Sequence, residues 1–463
     1  MSELNLSGLL PLIEGVPSYR RLLDELRRKT GGGREPLPPA PRPLRLLSAA
    51  RPYLIAALQR DLGRPTVVVT ARVEQANKLY EQLRLWSASP EAILRFPEPE
   101  ALPYERIPWS ADTIKDRLTT LAALTQVRGR KGKEGKKGNF PSFPPFPSFP
   151  SLIVVASARA LMQKTIPPRD FLTNMHALRR GQRISLPKLL ENWLSLGYEP
   201  ASVVVEPGTF SRRGGIVDIF SPAHSRPVRI ELFGDEIESL RLFDPSTQRS
   251  LEKIESFVVV PASEALPSRG PSAARRAKGL DLSTCHEPAR AEFEKDLRAL
   301  EGGQHFKGIE FYIPYLYPEP GSPLDFLPPE GLLIVDDLVD LATAMADLEA
   351  EALDLRDNLV EAGELPAGFA VPYFTWDELQ EALSARQPLV LGYDEAAHPE
   401  DDQEGLHHSF APGPRYGGQL KRVLEDCRRL RREGGRVVVV SRQAQRLAKL
   451  WGCLLYTSPS PRD

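Results

Sequence analysis

Two groups of residues in this 463-residue sequence are of types and spacings that could do chemistry. The first is the acidic pair Asp336 and Asp337, which closes the apolar run Leu332-Leu-Ile-Val335. Paired acids at the end of a strand in an open parallel sheet are where a nucleotide-hydrolysing enzyme holds magnesium. Such an enzyme also needs a G-x-x-x-x-G-K-[ST] loop, whose backbone N–H groups cradle phosphates while its lysine neutralises them. The sequence contains no such run. Between the short apolar run Leu44–Leu47 and the helix that follows stand Ser48, Ala49, Ala50, Arg51 and Pro52. Without glycines this backbone cannot wrap a phosphate, and Pro52 removes an amide donor. The expectation is a degenerate nucleotide site of Ser48, Ala49, Ala50, Arg51, Asp336 and Asp337 that does not hydrolyse ATP, its acids left as a relic or a helix cap.

The second group lies in a charged β region from Gly208 to Phe243. Pro227–Phe233 and Glu236–Phe243 alternate apolar with polar residues and are joined by Gly234-Asp235, which predicts a β-hairpin with a type II′ turn. Alternation puts Val228, Ile230 and Leu232 on a core face and Arg229, Glu231 and Phe233 on the other. Arg213 precedes the neighbouring run Ile216–Phe220 and could join them. Arginine and aromatic residues anchor protein interfaces. Two readings stand at this point: a partner-binding surface, or a half-buried Phe233 among solvated charges.

No H-E-x-x-H, G-x-S-x-G or C-x-x-C pattern occurs, and His407-His408 sits in a polar loop. A net charge of −1 gives no global attraction to nucleic acid, so any such contact must be local. Cys285, Cys427 and Cys453 form neither a disulfide framework nor a zinc pattern, which fits a reducing cytoplasm. No apolar run approaches the roughly 20 residues of a membrane span.

The elements that must position these groups follow an α/β pattern. Residues 5–29 read as two short helices, and Thr66-Val-Val-Val-Thr70 as a buried strand before a helix reaching Trp86. Strand and helix alternating in this way predict a parallel sheet with crossovers. Residues 128–151 combine a basic Gly-rich tract with a Pro/Ser/Phe tract and cannot bury a core, which predicts a disordered insertion. Leu152–Ala156 is again a buried strand, Arg179–Gly197 a turn plus a helix, and 338–362 a long acidic helix. A last α/β unit is expected over 372–452, with strands at Pro388–Gly392 and Arg436–Val440. Residues 453–463 resemble the translated adapter of a sequencing library and are set aside as a foreign tail on a truncated gene product.

Taken together, several stretches resemble the N-terminal portion of bacterial transcription-repair coupling factors, itself similar to the excision-repair helicase subunit UvrB with its ATPase disabled. They are Leu102-Pro-Tyr-Glu-Arg106, Asp116-Arg-Leu-Thr-Thr120, Leu152–Gln163, Gly181-Gln-Arg183, Arg213–Phe220, Val228–Phe243, Gly308-Ile-Glu-Phe-Tyr312, Tyr416-Gly-Gly and Val439–Ala444. The insertion at 128–151 and the tail depart from the family pattern.

The resemblance implies a helicase-like, degenerate P-loop-type first domain (1–127 with 152–176, resumed at 263–350). An inserted α+β domain occupies 177–262, and a small α/β domain 372–452. It implies that the inserted domain binds the damage-recognition protein UvrA through a surface shared with UvrB, falling here on Arg213, Arg229 and Phe233. It further implies that RNA polymerase, double-stranded DNA, ATP and magnesium are engaged by family modules absent from this fragment. Two alternatives are an active UvrB-type helicase subunit, which needs an intact phosphate loop, and a general DNA-binding protein relying on the basic insertion.

Overall fold

The structure is a computed structural model. It describes residues 4–28, 44–131, 152–392, 405–438 apart from 412, 415, 418 and 436, and residue 449. The expected insertion beyond residue 131, most of the strand at 436–440 and the tail at 453–463 lie outside the described residues.

In chain order the strands are β1 (Leu44–Arg45), β2 (Thr66–Thr70), β3 (Ile93–Phe96), β4 (Ile153–Ser157) and β5 (His176–Arg179). They continue with β6 (Glu199–Pro200), β7 (Thr209–Arg213), β8 (Ile216–Ile219), β9 (Val228–Phe233) and β10 (Glu236–Phe243). The last four are β11 (Ser250–Ile254), β12 (Ser256–Val259), β13 (Leu332–Val335) and β14 (Leu389–Gly392). Helices α1 (Pro17–Arg28), α2 (Arg51–Leu62), α3 (Val73–Trp86) and α4 (Ala111–Lys131) surround the first sheet.

That sheet has the order β1-β14-β13-β2-β4-β3, and every pairing in it is parallel. Parallel sheets are covered on both faces, so their strands read as unbroken apolar runs. In β2, Val67 and Val69 enter the core shared with Leu118 and Leu121 of α4, while Val68 enters the core shared with Leu54 of α2 and Leu79 of α3. The chain is thus α/β with a parallel sheet, as its pattern predicts.

The final strand corrects the expected domain boundary. The sequence pattern puts β14 in a separate unit at 372–452, yet it pairs with both β13 and β1 inside the first sheet. Leu379 and Leu383 of the preceding helix, Trp376–Ala385, join the same core as α4. A short apolar run announces a strand but not the sheet that takes it. The chain divides instead into compact units at 1–410 and 411–463, and in the second the described helix is Leu420–Arg432.

Residues 177–262 carry a second sheet and one helix. Their six-stranded sheet has the order β11-β10-β9-β8-β7-β6, β12 pairs with β5, and helix Leu186–Ser195 packs Trp193 into the core. Where the chain returns to the first domain, buried Glu264 meets buried Arg117 of α4. The Nε to Oε1 and Nη2 to Oε2 distances are 2.5 and 3.0 Å. Arg117 also donates to the Pro97 carbonyl and lies 4.0 Å over the Phe96 ring. This two-pronged buried pair, with Nη1 engaged as well, holds α4 to the segment that leaves the inserted sheet.

Candidate functional site

The first chemical group comes together only in part. Ser48–Ala50 is a single 3-10 turn, in which the Ala50 N–H donates to the Leu47 carbonyl at 2.8 Å. Arg51 opens α2 and turns inward, its Nη1 3.0 Å from the Asp336 carboxylate and 3.0 Å from the Asp336 carbonyl oxygen. Burial pushes the Asp336 carboxyl up, and the Arg51 guanidinium pulls it the other way. Asp337 points elsewhere: it caps helix Leu338–Glu361, accepting from the Val339 and Asp340 N–H groups at 3.0 and 3.1 Å. One acid is therefore held by a protein cation and the other by a helix end. With one acid engaged by a guanidinium, the other by a helix end, and no glycine-rich loop beside them, these residues do not fit a magnesium-bound nucleotide.

The second group does assemble. Arg213 and Ile216 face each other across the two-residue link Gly214-Gly215, in which Gly214 has a φ of +63°. Phe233 and Glu236 are paired across Gly234-Asp235, with Gly234 at a φ of +64°. That left-handed value is open to glycine without the strain a side chain would bring. Val228 and Ile230 are fully buried, whereas Phe233 is 81% exposed, one of the largest exposures of an apolar residue here. Its ring forms one wall of an open cleft of about 540 Å³ with Arg180, Glu236, Glu238 and Glu255.

Arg229 is on the predicted face but is not solvated. Its Nε and Nη2 donate to the two carboxylate oxygens of Asp218 at 2.8 and 2.9 Å, and Asp218 is almost fully buried. The Phe243 ring lies 4.8 Å from the guanidinium carbon. Hydrogen bonding to Asp218 raises the Arg229 pKa. Arg213 approaches the same carboxylate at 3.6 Å but stays more than half exposed. The expectation of solvated charges beside Phe233 is therefore corrected for Arg229, whereas Arg213 pairs with Asp218 while keeping more than half of its side chain exposed. Asp218 and Ile216 were passed over in the sequence. Their signal was the alternation in Ile216-Val-Asp-Ile219, where buried Val217 and Ile219 leave residues 216 and 218 on the outer face.

His407 and His408 lie in a short 3-10 turn with their rings 3.9 Å apart, and no group of potential metal ligands occurs among the described residues. No described helix is long and apolar enough to cross a membrane.

Comparison with known proteins gives this geometry a family. Residues 177–264 match the family model of the UvrB interaction domain, so the inserted sheet carrying Arg213 and Phe233 is a domain of that class. Over longer spans the chain is similar to transcription-repair-coupling factors. It is 25% identical over 418 residues (88% of this chain, 33% of the relative) to that of Bacillus subtilis. It is 32% identical over 337 residues (68% and 25%) to that of Myxococcus xanthus, and 28% over 316 residues (68% and 25%) to that of Escherichia coli. The chain is a relative of the transcription-repair-coupling factors, corresponding to an N-terminal portion of them. It spans a quarter to a third of the length of these relatives.

Proposed function

We propose that this chain is the recruitment portion of a transcription-repair coupling factor. In this reading residues 177–264 bind a UvrA-type damage-recognition protein and bring it to stalled RNA polymerase in the bacterial cytoplasm. In the same reading, the polymerase contact and an ATP- and magnesium-dependent motor on double-stranded DNA are the work of other modules of such a factor. One observation carries the reading. The matched domain presents Phe233, 81% exposed, on the same sheet face as the exposed Arg213. An exposed phenyl ring gains nothing in folding and is desolvated only in a complex, and an adjacent guanidinium suits a partner carboxylate. The active-helicase alternative is disfavoured because Ser48–Pro52 lacks the glycines and lysine of a phosphate loop and Asp336 is paired with Arg51.

The test is titration of purified UvrA with the chain and with Phe233→Ala and Arg213→Glu. Truncating an anchor of this kind costs about 2–4 kcal/mol of binding, roughly 30- to 1,000-fold in Kd. Equal affinity of both variants and the unaltered chain refutes the reading.

A further inference from the structure

Where the inserted sheet meets the first domain, the chain leaves a cleft of about 570 Å³. β6 and the loop before β7 form one side, the start of α4 a second, and residues 305–310 a third. It shares no lining residue with the cleft at Phe233. Ligand sites of this size favour such junctions and set a few polar groups among apolar walls. Here Trp109, Ile114 and Phe306 supply apolar walls, and Glu310 lines the cleft although it is only 6% exposed.

Two buried acids at this junction have different partners. Glu264 holds the Arg117 guanidinium through both oxygens, and Arg117 lies over the Phe96 and Trp109 rings at 4.0 and 4.9 Å. Glu310 receives its own backbone N–H and the Ser263 hydroxyl, the latter at a long 3.4 Å, and among the described residues it forms no ion pair. An ionised carboxyl that is buried without a cation is costly, and burial pushes this one up to about 7. The other charges around the cleft are Glu199, Glu206, Lys115, Lys307 and His305. His305 Nδ1 lies 2.9 Å from Glu199, and burial lowers the imidazole pKa from its usual value, which keeps the ring neutral near pH 7. With Glu310 ionised, three carboxylates face two lysines, and one incoming cation balances the excess.

We propose that this cleft binds a guanidinium or ammonium group, carried by a small molecule or by a peptide side chain, with Glu310 as its carboxylate partner. The Arg117–Glu264 pair shows the chemistry the junction already uses: carboxylate oxygens for the donors and aromatic rings for the faces of the cation. Ile114 and Phe306 suit the aliphatic stem that carries such a group. The cation pairs with the ionised carboxyl, so binding releases the proton that Glu310 holds below about pH 7, and affinity rises as pH passes through that value.

Calorimetric titration with agmatine and with N-acetylarginine amide, about one pH unit below and above the Glu310 value, tests the site. Both cations are expected to bind about tenfold more tightly at the higher pH, because the carboxyl is then already ionised. N-acetylcitrulline amide, which keeps the shape without the charge, is expected to bind at least about tenfold more weakly than the arginine derivative. Glu310→Gln is expected to bind both cations weakly and equally at the two pH values. Tighter binding of agmatine identifies a free amine as the source, and tighter binding of the arginine derivative a peptide side chain. Absence of saturable binding by both cations overturns the proposal. So does a Kd indifferent to pH, equal affinity for the citrulline derivative, or unaltered binding by Glu310→Gln. The citrulline and pH comparisons use the unaltered chain and decide the matter even where the variant does not fold.

Discussion

Three charged side chains on one sheet, Arg213, Asp218 and Arg229, have separable energetic roles. Removing Arg229 leaves the nearly buried Asp218 without its principal cation, and breaking such a pair is far costlier than losing a surface one. Arg229→Ala should therefore lower stability by about 2–4 kcal/mol. Arg213→Gln, at a largely exposed residue, should stay within about 0.5 kcal/mol. Thermal melting of the two variants side by side checks both figures. Glu310 is a second residue with a readable consequence. Burial among neighbours that include Glu264 and Glu199 pushes its carboxyl up to about 7 from an ordinary 4.5. The folded state then holds a proton that the unfolded chain releases, so this group's stabilisation is present below about pH 4.5 and is lost as pH rises toward 7. Glu310→Gln should gain on the unaltered protein across that window, by up to about 3 kcal/mol at its upper end. His176 and His224, lowered to about 4 by burial, act in the opposite sense but cancel in the difference between the two proteins. A stability difference that does not change with pH would contradict the buried carboxyl.

Among the elements, what the sequence disclosed depended on whether the signal was local. β2, β4 and β13 are apolar on both faces because the parallel sheet is covered on both, and their β-branched runs show as much. The β9–β10 hairpin was legible through its period-two alternation and the glycine its turn requires. Non-local facts were not legible. Nothing in Leu389–Gly392 tells that β14 slots between β1 and β13, and alternation assigns Arg229 a face without revealing Asp218 of the adjoining strand beside it. Likewise the missing phosphate loop was evident in Ser48–Pro52, while the use of Arg51 to hold Asp336 needed the fold. That pairing carries its own prediction. A ligand present at 100 times its Kd adds about 2.7 kcal/mol of stability, a plain shift in melting temperature. Magnesium and ATP should produce none, and a clear upward shift would show that the Arg51–Asp336 contact yields to nucleotide.

At the scale of the whole molecule, the parallel α/β domain serves as the mount and the inserted sheet as the presenting surface. Arg117 and Glu264 pin the seam where the chain passes back from one to the other. The central claim is that the face carrying Phe233 is a UvrA-binding surface of the same kind as the one in UvrB, and competition tests it most directly. With labelled UvrB bound to UvrA, increasing amounts of this chain are added and the remaining complex is measured. The account predicts that the chain displaces UvrB, and that Phe233→Ala displaces it only at concentrations roughly 30-fold higher or more. A ternary complex in which UvrA holds both proteins at once, or displacement unaffected by Phe233→Ala, would contradict it.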